Sequence, residues 1–72
     1  MEPINVLAKF SQNKVQPLAF SHVGRTYKIK TVNFIHHFRE GDQTIFIFHV
    51  SDKANTYKLR LETDVLKWYV ED

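Results

Sequence analysis

The chain has no cysteine, two glycines and two prolines among 72 residues. Lacking cysteine, it can form no disulfide, thiolate metal site or cysteine nucleophile. It therefore needs no oxidising compartment, and a cytoplasmic location is expected. With only two glycines there is no Gly-rich phosphate loop. No apolar run approaches the ~20 residues that span a bilayer as a helix. The opening Met1-Glu2-Pro3-Ile4-Asn5 carries neither a basic nor an apolar leader segment, so no signal peptide and no membrane partner are expected. At this length the expectation is one domain over 1–72.

Aromatic residues, by contrast, are plentiful: six Phe, three Tyr and one Trp. A small domain without disulfides or metals needs a dense apolar core, and these side chains supply it. They fall in short alternating runs separated by turn residues, which is the pattern of a sandwich or barrel. In Val15–His22, Leu18 and Phe20 share a parity. Val23-Gly24 reads as a two-residue turn that sets Phe20 opposite Tyr27 and Leu18 opposite Ile29. Arg25–Phe38 reads as one long strand whose apolar parity switches from odd (Tyr27, Ile29) to even (Val32, Phe34, Phe38). A strand changes face only through a bulge or sharp bend, so one is expected between Lys30 and Asn33.

Arg39-Glu40-Gly41-Asp42 reads as a three-residue hairpin loop. That register would group Phe34 and Phe38 with Phe46 and Phe48 as core, leaving Ile35, Ile45 and Ile47 on the other face. Thr56–Glu62 and Val65–Val70 form a last hairpin about Thr63-Asp64. It pairs Leu61 with Leu66, Leu59 with Trp68, Tyr57 with Val70, Lys58 with Tyr69 and Arg60 with Lys67. Residues 3–10 fit a strand (Ile4, Val6, Ala8, Phe10) or a short helix after Pro3 (Ile4, Leu7, Ala8, Ser11). The all-β context favours the strand. The expected fold is a five- or six-stranded antiparallel meander, curled into a small SH3-like barrel or a strongly bent sheet.

Catalytic chemistry has little to stand on. The acids Glu2, Glu40, Asp42, Asp52, Glu62, Asp64, Glu71 and Asp72 lie in turns, at strand ends or at termini, and none face one another across a cleft. The serines sit in no nucleophile elbow. His36 and His37 point to opposite faces of a strand. His37 and His49 share a parity on neighbouring strands, but no third zinc ligand accompanies them. Neither an enzyme, a metal, a cofactor nor a small-molecule substrate is expected. A barrel this small fills its interior with side chains, so the Phe cluster reads as core and not as a pocket.

Two surfaces remain as candidate sites. The outward strand positions are basic, and Arg25, Lys28, Lys30, Lys58, Arg60 and Lys67, with Tyr69 interleaved, form a candidate nucleic-acid face. The small net charge of +2 sets against this the ordinary reading of lysines as edge protection and solvated surface. The second candidate is a protein-interaction or self-association face built from Ile35, His37, Ile45, Ile47 and His49. Cover by the N-terminal strand is the competing explanation.

The stretch Pro17–Ile29 reads P-x-x-F-x-x-x-G-R-x-Y-x-I, followed later by Tyr57-Lys58-Leu59 and Trp68. Over residues 15–70 this pattern resembles a small bacterial all-β domain of unknown function whose best-known members are encoded beside translesion polymerases. The resemblance implies a small β-barrel and a bacterial or phage source. It brings no catalytic residues, and it links the chain to DNA only by association.

Overall fold

The computed structural model describes residues 1–71, and the remaining acid, Asp72, lies outside them. Seven antiparallel strands form one sheet: β1 Glu2–Ser11, β2 Lys14–His22, β3 Arg25–Lys28, β4 Thr31–Glu40, β5 Gln43–Ser51, β6 Thr56–Glu62 and β7 Lys67–Glu71. Their order is β3-β2-β1-β7-β6-β5-β4 in a sheet curled into a half-barrel; the expected single meander is broken between β3 and β4, which lie at the two margins, while β1 pairs with β7. The N-terminal segment is a strand throughout. No helix long and apolar enough to cross a membrane occurs among the described residues.

Seven strands appear where five or six were expected because Arg25–Phe38 is divided. Ile29 N donates to Leu18 O of β2 at 2.9 Å, and Lys30 N donates to Ser51 O of β5 at 2.9 Å. Within two residues the chain passes from one margin of the sheet to the other, and this closes one corner of the barrel. β1 makes a similar corner: residues 2–4 pair with β7 and residues 5–11 with β2. The expected bend lies where the parity switched, and a bulge follows between Val32 and Phe34.

That bulge corrects the reading of the Phe cluster. The bend brings Val32 inward, and the extra residue at Asn33 reverses the parity again. The β4–β5 connection is also a two-residue turn, Glu40 pairing with Gln43, with Gly41 at φ 62° in its first central position. Ile35 and His37 therefore face the same side as Phe48 and Phe46, while Phe34 and Phe38 turn outward and are 58% and 39% exposed. The last hairpin is corrected too. Its loop spans Thr63–Leu66, so Leu61 pairs with Trp68, Leu59 with Val70, Arg60 with Tyr69 and Lys58 with Glu71. The slip is two residues, which leaves the paired side chains on their expected faces but puts Leu66, expected inward opposite Leu61, into the loop at φ 54° and 74% exposed.

The inner face carries the core: Phe20, Phe48, Val50, Leu59, Leu61 and Val70, all at least nine-tenths buried. Phe20 stacks on Tyr27 at 4.9 Å and meets the edge of Tyr57 at 5.2 Å, while Phe48 packs against Trp68 at 5.4 Å. Offset and edge-on aromatic pairs of this kind add about 0.5–1.5 kcal/mol each beyond their buried area.

Candidate functional site

Lys58, Arg60, Lys67 and Tyr69 do share the convex face, but acids are built into it beside them. Glu71 stands directly opposite Lys58 and Glu62 opposite Lys67. Arg60 is committed within the fold. Its Nη2 donates to Glu40 Oε2 at 2.7 Å, its Nε donates to Glu62 Oε2 at 3.1 Å, and its Nη1 lies 3.9 Å from Glu71 Oε2. Burial works against the guanidinium's charge, but the bonds to Glu40 and Glu62 outweigh it and hold the pKa above the ordinary arginine value. Arg25 and Lys28 are on β3, three strands from Lys67 on β7. At ~4.8 Å per strand that is ~14 Å around a curved surface. Lys30 lies at the β3–β4 corner. The expected basic residues are thus divided between two regions, and one of those regions is laced with carboxylates.

The apolar face expected from Ile35, His37, Ile45, Ile47 and His49 is divided as well. Ile35 and His37 have the inward parity; Ile45, Ile47 and His49 have the outward one. Ile45 is fully buried and Ile47 is 4% exposed, although both lie on the convex side. Arg60 stands beside Ile47 on this face, and Glu62 and Phe38 flank Ile45. To reach Glu40 on β4 from β6, the Arg60 side chain crosses β5, and its guanidinium sits 6.0 Å from the Phe38 ring centre. The histidine that approaches His49 is His36, not His37: the two rings stack at 5.2 Å, with Phe34 5.5 Å from His36 and 5.6 Å from His49. The two-residue turn at Gly41 is what exchanges the two histidines.

The opening left by the half-barrel was not legible in the sequence. β3 pairs with β2 only over Ala19–His22, so among the described residues the outer edge of β2 from Lys14 to Pro17 has no strand beside it. Opposite stands β4, the last strand of the sheet, whose outer edge pairs with no strand among the described residues. Nine of its ten residues are exposed. Between the two edges lies an open trough of about 830 Å³ with Val15, Val32, Ile35, Phe46 and Phe48 among its lining. Its charged residues are Lys9, Lys14 and Lys30, with no acid among them. Lys9 and Lys14 went unnoticed in the sequence because nothing in residues 1–14 reveals which strand margins remain open.

No protein-family profile, curated protein or solved structure matches this chain.

Proposed function

We propose that the protein is a non-enzymatic binding module, and that its ligand is an extended peptide segment of another protein, lying along the free edge of β4. The observation that carries this reading is the ten-residue edge strand, unpaired and exposed, facing a second unpaired edge across an apolar trough. Unsatisfied N–H and C=O groups in a row are a template for an added strand. Folded proteins usually blunt such an edge with inward charges or cover, yet β4 carries Val32, Phe34, Ile35 and Phe38 and is charged only at Arg39 and Glu40. A cysteine-free chain suits the cytoplasm as its place of action.

Nucleic-acid binding through the convex face is the weaker reading. Arg60 is occupied by carboxylates there, and Lys58 and Lys67 each face one across the ladder. A selection from displayed random peptides tests the peptide reading. Recovered peptides should bind the wild type and lose at least tenfold in affinity for Ile35→Lys, which puts a charge on the free edge while leaving the core intact. Failure to enrich any peptide, or equal binding to both proteins, refutes the proposal.

A further inference from the structure

The chemistry of the trough specifies its ligand further. Resting on the peptide reading above, we infer that the partner segment is acidic and alternating, with apolar residues on one face and Asp or Glu on the other. It enters as an eighth strand beside β4.

The alternation follows from the two sides of the opening. A strand in the gap presents successive side chains to opposite faces. Its inward residues meet Phe46, with Val15, Val32 and Ile35 flanking it and the buried core residue Phe48 beneath. Phe46 lies 5.5 Å from His37, which extends the apolar floor along β4. The outward residues meet lysines. Phe10 pairs with Val15, and Val15 packs on the core, so the flanking positions Lys9 and Lys14 have the outward parity on the β1–β2 hairpin. Lys30, at the corner, completes a basic rim of three with no carboxylate among the lining residues. Glu40, the nearest acid along β4, is held on the convex side by Arg60.

Charge complementarity therefore selects an acidic peptide over a basic one. It acts mainly on encounter and specificity, since exposed pairs contribute about 0.2–1 kcal/mol each and are screened by salt. Main-chain pairing to β4 and the apolar floor supply the salt-insensitive part. Three exposed pairs together amount to roughly a tenfold preference at low salt.

Fluorescence anisotropy with labelled eight-residue peptides tests the inference. The probes are alternating Glu/Val, alternating Lys/Val, a Glu/Val peptide of the same composition in two blocks, and a single-stranded oligonucleotide. The alternating acidic peptide should bind about tenfold more tightly than the other two peptides. Its advantage over the basic peptide should shrink at 0.5 M salt, and the triple variant Lys9→Glu, Lys14→Glu, Lys30→Glu should reverse the preference. Equal binding of acidic and basic peptides overturns the inference. So does tighter binding of the oligonucleotide that is abolished by the triple variant, which would assign the rim to nucleic acid. A dimer in sedimentation equilibrium that dissociates on Ile35→Lys overturns it as well, by giving the edge to a second copy. If selected peptides bind in an Ile35-dependent way without charge preference, this inference fails and the peptide reading stands. If no peptide binds at all, both fail.

Discussion

Replacing Arg60 with alanine should destabilise the domain far more than removing an ordinary surface arginine. Its side chain is 11% exposed and bridges β6 to β4 across the middle of the convex face. Three contributions are lost. The pair with Glu62, itself 18% exposed, is largely withdrawn from water, and a charge-assisted bond in that setting is worth about 1.5 kcal/mol. The pair with Glu40 is discounted because that carboxylate is 56% exposed, leaving about 0.5 kcal/mol. Partly uncovering the buried Ile45 and Ile47 costs about 1 kcal/mol, the transfer free energy of roughly one methylene. The sum is roughly 3 kcal/mol, and for a domain of this size that lowers the Tm by about 12–24 °C. Arg60→Met keeps the hydrocarbon cover but leaves three carboxylates without their cation, so it should lose somewhat less. Thermal unfolding followed by circular dichroism measures both. A Tm for Arg60→Ala within about 2 °C of wild type would refute the account of how the convex isoleucines are covered.

Other substitutions probe separate parts of the structure. Val23 sits at φ 50° and is 82% exposed, a strained conformation for a β-branched residue at the first position of a turn that wants Asn-Gly; Val23→Asn should raise stability by about 1 kcal/mol in a urea titration. Asp52 accepts bonds from Ala54 N and Asn55 N, both at 2.8 Å, and from Tyr57 Oη at 3.2 Å; the two backbone bonds, chiefly, hold its carboxyl below the ordinary value of 3.8. A lowered folded pKa gives stability that is present above pH 3.8 and disappears as pH falls through the folded value, so Asp52→Asn should be less stable at pH 7 and converge on wild type in strong acid. A gap independent of pH would show that the charge plays no part. Trp68→Ala, which removes the partner of Phe48, should cost about 3 kcal/mol, as the shifted midpoint of a denaturant titration would show.

Local signals in the sequence were legible where the structure obeys local rules. The Val23-Gly24 turn, the Phe20–Tyr27 pairing and the parity switch before Val32 all follow from turn chemistry and the two-residue period of a strand. The N-terminal strand follows from the same alternation. What failed was counting across loops. One extra residue in the β4 bulge at Asn33 and one fewer in the Gly41 turn moved Phe34 and Phe38 from core to surface, and no propensity fixes the bulge position or the turn length. The two-residue slip in the last hairpin brought Glu71 opposite Lys58, so a face that looked basic carries balanced charge. The trough was invisible for a further reason: whether a strand has a neighbour depends on how the whole sheet closes.

The most direct test of the open-edge account is chemical-shift mapping of the ¹⁵N-labelled protein during titration with the alternating Glu/Val peptide. The account predicts shifts along Thr31–His37 of β4 and at Lys9, Lys14 and Lys30, with Lys58, Lys67 and Tyr69 unmoved. Shifts confined to the convex face at Lys58, Lys67 and Tyr69, with β4 silent, would contradict it.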